Sequence, residues 1–171
     1  MNSLTEQAPI LVFPFGNPSR GDDALGPTIY QLLGDKLRMK GPPSVDLLTD
    51  FQLQIEHSID LENRDAIVFV DASVSCRAPY EFHAITPQAD NSYTSHAMSP
   101  ASVLAVYRQV NKCAPPPAWL LTIRGYDFSL GRSISTKAEH NLQQAHDFLR
   151  RLLSTDNADW HQYENAGPEC Q

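Results

Sequence analysis

The segment FPFGNPSRGDD (residues 13–23) leaves an apolar stretch, turns at Gly16-Asn17 and stops on two adjacent carboxylates. Neighbouring residues on a helix diverge by about 100°, so Asp22 and Asp23 point different ways. Asp22 is placed to accept from the free N–H groups of the helix that follows, a cap contributing about 0.5–2 kcal/mol. Asp23 is then free to face a crevice; the alternative is that both acids only balance the positive end of that helix. Asp71 directly follows Ile67-Val68-Phe69-Val70, where an ion is poorly hydrated and needs a partner, whether a loop backbone or a reacting group. His96, in YTSHAMSP, stands just before a helix start, and a lone loop histidine is often inert. Together, Asp23, Asp71 and His96 make a set of two carboxylates and one imidazole. Such a set suits a borderline divalent cation, zinc or nickel, with positions left open for substrate or water.

These residues lie far apart in the chain, so a fold must bring them together. Apolar runs at 9–16, 45–50, 66–73 and 118–125 read as buried strands, and 80–87 alternates as a half-exposed edge strand. Leu25, Ile29, Leu32 and Leu33 mark one helix face. A short helix is expected across 54–63. A third helix, over 99–110, opens on Ser-Pro and carries Val103, Val106, Tyr107 and Val110 on one side. Thr136 and Glu139 have capping-box spacing ahead of an inward stripe of Ala138, Leu142, Ala145, Leu149 and Leu152. The alternation predicts an α/β fold: a single domain over 1–154 with a mainly parallel, twisted, five-stranded sheet flanked by helices on both faces. The polar stretch 155–171 is expected to be a loose tail. In such folds function gathers outside the carboxyl ends of the strands. There the sequence puts Asn17, Asp50, Asp71, the loop to His96, and Arg124.

Bulk properties narrow the classes. The 171 residues carry a net charge of −7 with scattered basic residues, which argues against nucleic acid as a partner. No apolar run reaches the roughly 18–20 residues of a membrane span, and the start lacks a signal-peptide pattern, so a soluble cytoplasmic protein is expected. Three cysteines without C-x-x-C spacing favour reduced thiols, and Cys76 is expected to be buried or incidental. His57, His83, His140, His146 and His161 share no spacing that suggests a site. Serine-elbow and His-Glu-x-x-His motifs are missing. The first turn lacks G-x-G-x-x-G spacing, and its two acids would repel a phosphate.

GNPSRGDDALG resembles the GN-x-x-x-x-D-[DE]-x-x-G signature of the nickel–iron hydrogenase maturation endopeptidases. IVFVDA is similar to the apolar strand that ends in that family's second metal-contacting Asp, and SHAMSPASVL to its motif of a His ahead of a helix. The three motifs agree in order and spacing over roughly 9–150. The resemblance implies an endopeptidase, of aspartyl or metal-assisted type, that trims the C-terminal extension of a hydrogenase large-subunit precursor after nickel insertion. It puts Asp23, Asp71 and His96 in catalytic and metal-contacting roles. The partner implied is the nickel-loaded precursor, which supplies the metal; no permanent organic cofactor is expected. Departures are Ser19, where the family often has Leu, and Ala24, where it usually has Gly. Asp50 also comes one residue later than the Asp that often ends the second strand. DFQLQIEH (50–57) resembles a variant serving soluble, cofactor-reducing hydrogenases; Gln52, Gln54 and Glu56 there face either substrate or solvent. Two mechanisms stay open, nickel as recognition tag and Lewis acid, or acid–base work by Asp23 and Asp71. So does a non-cleaving chaperone or binding module for the large subunit. Arg124 is open between a substrate anchor and a surface salt bridge.

Overall fold

The β-branched run at 66–73 forms the central strand of a computed structural model that describes residues 7–39, 44–90 and 97–164. Five strands, β1 (Ile10–Pro14), β2 (Val45–Leu47), β3 (Ala66–Ser73), β4 (Tyr80–Ile85) and β5 (Ala118–Arg124), align in the order β2-β1-β3-β5-β4. All pairs are parallel except the edge pair β4–β5. The expected mainly parallel five-stranded sheet is therefore the observed one, with β1 shorter at both ends and β2 shorter at its carboxyl end.

Parallel strands need cover on both faces, and the side chains of β1 and β3 divide accordingly. Ile10, Val12, Val68 and Val70 pack beneath α1 (Leu25–Met39) and α3 (Thr136–Leu153). Leu11, Phe13, Ile67 and Phe69 pack beneath α2 (Pro100–Asn111) and a 3-10 helix at Ile55–Leu61. The α1 face is buried at Leu25, Ile29 and Leu33, and all five residues of the α3 stripe are buried. β4 keeps Tyr80 and Phe82 inside and Glu81 outside, as an edge strand does.

Three local expectations are corrected. In α2, Val110 is 68% exposed and Leu104 takes the inward place, because the buried face runs through Val103, Leu104 and Tyr107. The α3 cap is Ser135, whose Oγ accepts from the Ala138 N–H at 3.4 Å, so Thr136 is already the first helical residue. Residues 155–164 do not hang loose. They include a 3-10 helix, Asn157–Tyr163, that inserts Trp160 into the core against Trp119, ring centroids 5.3 Å apart. Trp160 Nε1 donates to the Leu152 carbonyl at 3.1 Å, which satisfies its one polar atom. Residues 165–171 lie outside the described residues. No helix among the described residues is long and apolar enough to cross a membrane.

Trp160→Ala should therefore destabilise the protein by about 3–5 kcal/mol, the usual range for emptying an aromatic core position. Urea unfolding checks this; a midpoint equal to wild type would mean that the segment does not dock.

Candidate active site

The sheet order places a topological switch point between β1 and β3. From β1 the chain passes through α1 to β2 on one side, while β3 pairs with β5 on the other. Pairing between β1 and β3 ends at Pro14 and Val70, yet β3 continues beside β5, with Asp71 opposite Thr122. The backbone beyond Val70 is thus open toward β1, and the carboxylate of Asp71 borders that gap.

A cavity of about 550 Å³ fills it. Asp23 and Asp71 both line it, 48 positions apart in sequence, together with Asp50, Arg20, Gln52 and Gln54. Asp23 is held by the turn before it: its Oδ2 accepts from the Asn17 N–H at 2.7 Å. The turn is tight. Gly16 has φ +149°, and a Cβ there would lie 2.2 Å from the Asp23 carbonyl oxygen; a Cβ on Gly26 would lie 2.2 Å from that of Phe15. Only glycines allow the start of α1 to sit this close to the end of β1.

Asp71 stands in a poorly hydrated place. Burial, then the charge of Asp23, pushes its carboxyl up from 3.8 to about 7, against a smaller opposing effect of a hydrogen bond from the Ala72 backbone. One cavity therefore holds two coupled carboxyl groups, one of which retains its proton close to neutral pH. That is the arrangement acid–base pairs use.

Asp22 departs from its expected role. It does not cap the helix it precedes. Its side chain is fully buried and reaches the loop between β5 and α3. Its Oδ2 accepts from the N–H groups of Tyr126 (2.6 Å) and Asp127 (3.0 Å) and from the Ser135 hydroxyl (2.8 Å), and its Oδ1 accepts from the Ser135 N–H (2.6 Å). The two strand-end loops are further joined by Asp22 N–H to the Asp127 carbonyl at 2.7 Å and Gly21 N–H to that of Arg132 at 3.1 Å. The adjacent acids thus divide the labour. Asp22 fixes the scaffold, and Asp23 is turned into the cavity.

His96 lies outside the described residues; Ala97 and Met98 line the cavity. Among the described residues no group of three or more His, Cys, Asp or Glu is gathered as a metal would require. Glu56 is not a lining residue, and neither is Arg124. The Arg124 Nη1 donates to the Cys76 carbonyl at 2.8 Å, tying down the loop after β3. Cys76 is buried, and burial pushes its thiol up, away from thiolate chemistry. The sequence reading overlooked Arg20, which lines the cavity, and His57, whose Nε2 is 3.3 Å from Asp50 Oδ2. A signal for His57 existed: it follows Gln54 by three residues, the spacing at which a side chain reaches back to a helix start.

No protein-family model matches this sequence, and no curated protein does. Solved structures do match. The [NiFe] hydrogenase maturation protease HycI of Thermococcus kodakarensis is 18% identical, with a TM-score of 0.65, over 88% of this chain and 96% of that one. The hydrogenase maturating endopeptidase HybD of E. coli is 23% identical, with a TM-score of 0.64, over 85% and 91%. The hydrogenase 2 maturation peptidase of Thaumarchaeota archaeon SCGC_AB-539-E09 is 19% identical, with a TM-score of 0.59, over 86% and 99%. At these identities the likeness is one of fold, and it extends over nearly the whole length of each.

Proposed function

We propose that this protein is a maturation endopeptidase that removes the C-terminal extension of a nickel–iron hydrogenase large-subunit precursor. The observation that carries this reading is the sharing of one cavity by Asp23 and Asp71, at the switch point of a fold held in common with such proteases. Peptide hydrolysis needs a base for the attacking water and an acid for the leaving amine. Asp71, with its carboxyl pushed up to about 7, is suited to donate, and the charged Asp23 to accept. Arg20, at the cavity wall, offers a fixed positive charge to a developing oxyanion.

Nickel belongs in this scheme as part of the substrate. Carboxylate oxygens with an imidazole suit a borderline cation, so in the alternative to acid–base work Asp23 and an ionised Asp71, joined by His96, would contact nickel already seated in the precursor. The ion would mark the precursor as loaded and could add Lewis acidity at the scissile carbonyl. DFQLQIEH (50–57) supports assignment to the branch serving soluble, cofactor-reducing hydrogenases.

Incubating the protein with nickel-loaded and nickel-free precursor, followed by mass spectrometry, tests the proposal. Expected are a large subunit shortened at its C-terminus and a released peptide from loaded precursor only. Stable binding of intact precursor would instead make the protein a chaperone. Equal cutting of both forms would remove nickel from recognition.

A further inference from the structure

We infer that His57 is a positioning residue, one that holds the Asp50 carboxylate in the cavity as a fixed acceptor for a positively charged group of the substrate segment. This builds on the peptidase reading above. The Gln54 N–H donates to His57 Nδ1 at 2.8 Å. A backbone N–H can only donate, so Nδ1 is the bare nitrogen and the neutral ring carries its proton on Nε2. Nε2 stands 3.3 Å from Asp50 Oδ2, an electrostatic contact just beyond the usual hydrogen-bonding range. The other oxygen, Oδ1, accepts from the Phe51 N–H at 2.6 Å.

The surroundings fix both partners. The imidazole meets the fully buried Phe13 ring edge-on, centroids 4.8 Å apart, and its side chain is only 14% exposed against 40% for Asp50. The donor therefore sits inside while the acceptor reaches open space. The Asp50 backbone is pinned as well, because its carbonyl accepts from the Gly16 N–H at 3.1 Å, in the turn that also holds Asp23. An ionised carboxylate offers about four acceptor positions; the Phe51 N–H fills one and His57 Nε2 borders another, which leaves the rest for a ligand. Even with Asp71 protonated, Asp23 and Asp50 outnumber the guanidinium of Arg20 among the described residues of the cavity wall, a balance that favours a cationic group.

Two substitutions separate this role from simple capping. His57→Asn keeps an acceptor near Nδ1 for the Gln54 N–H but has no donor for Asp50. His57→Gln keeps a donor near Nε2 and gives up the acceptor. Expected for His57→Asn is a KM for loaded precursor raised about tenfold, the scale of one charge-assisted contact, with an unchanged urea midpoint and kcat within about twofold. His57→Gln should keep the wild-type KM despite a lowered midpoint. A wild-type KM in His57→Asn, or equal impairment of both variants, would overturn the inference. A second measurement needs no cleavage. The imidazole 15N spectrum should show the Nε2-protonated ring, and Asp50→Asn should move its signal. A ring protonated at Nδ1, or a signal indifferent to Asp50→Asn, overturns the pairing. A wild-type protein that cuts no precursor would count against the peptidase reading alone.

Discussion

Asp71→Asn is expected to lower precursor cleavage by at least about 100-fold, the scale of a lost general acid, while making the fold more stable at pH 8. The two effects share one cause. The native state holds the Asp71 carboxyl at about 7, through burial first and the charge of Asp23 second, against 3.8 for the ordinary group. Below pH 3.8 native and unfolded chains are both protonated, and the site makes no difference. Between 3.8 and about 7 the unfolded chain has released the proton and the native chain keeps it, so stability falls as pH rises. Above about 7 the penalty is complete. Asparagine removes the ionisation, and the variant should gain about 1–3 kcal/mol at pH 8, less than the full shift implies because the cavity is open to water. Near pH 4 the gain should vanish. Urea unfolding at the two pH values, alongside the cleavage assay, checks both halves. An active asparagine variant, or one no more stable than wild type at pH 8, would remove Asp71 from its role.

The neighbouring acid should behave in the opposite sense. Asp22→Ala takes the acceptor away from three backbone N–H groups and one hydroxyl in the β5–α3 loop. A loss of about 3–5 kcal/mol is expected, as for other buried charge networks broken on one side. Burial alone would raise the Asp22 pKa, but hydrogen bonds from the Ser135, Asp127 and Tyr126 backbones and the Ser135 hydroxyl outweigh it and hold the group below 3.8. Its stabilisation is present above pH 3.8 and is lost as the pH falls through the lower native value. Acid titration of unfolding should therefore show a limb below pH 4 that Asp22→Asn flattens. An unaltered limb would mean that other carboxylates set acid stability.

Legibility in the sequence followed the range of the forces involved. β3 could be read to the residue because burial on both faces leaves a continuous apolar run that nothing else imitates. Asp23 and Asp71 could be placed at strand ends for the same reason, since the strands they follow are unmistakable. Asp22 could not be read, because its partners lie more than 100 positions away and local spacing suggests a nearer, wrong answer. Val110 misled because a helix stripe shows period but not phase, and Leu104 fits the same period one position round. Trp160 was obscured by its polar neighbours: Asp156, Asn157, Asp159 and Gln162 hide a single aromatic anchor. His57 and Asp50 meet only because a 3-10 helix turns the ring back, a geometry no heptad-like pattern announces.

The docking of Trp160 on Trp119 also decides which optical probe this protein offers. The chain has two tryptophans, and both belong to the α1/α3 side of the sheet, with Trp119 opposite Val68 near the amino end of β5. Asp23 lies past the carboxyl end of β1 and Asp71 among the last residues of β3, where Leu53 and Met98 of the other side close the cavity. Intrinsic emission will thus report the anchoring of the final 3-10 helix and remain silent when the cavity fills. A titration with precursor needs a reporter placed elsewhere, and a variant that goes dark to substrate while glowing like wild type has lost chemistry, not architecture.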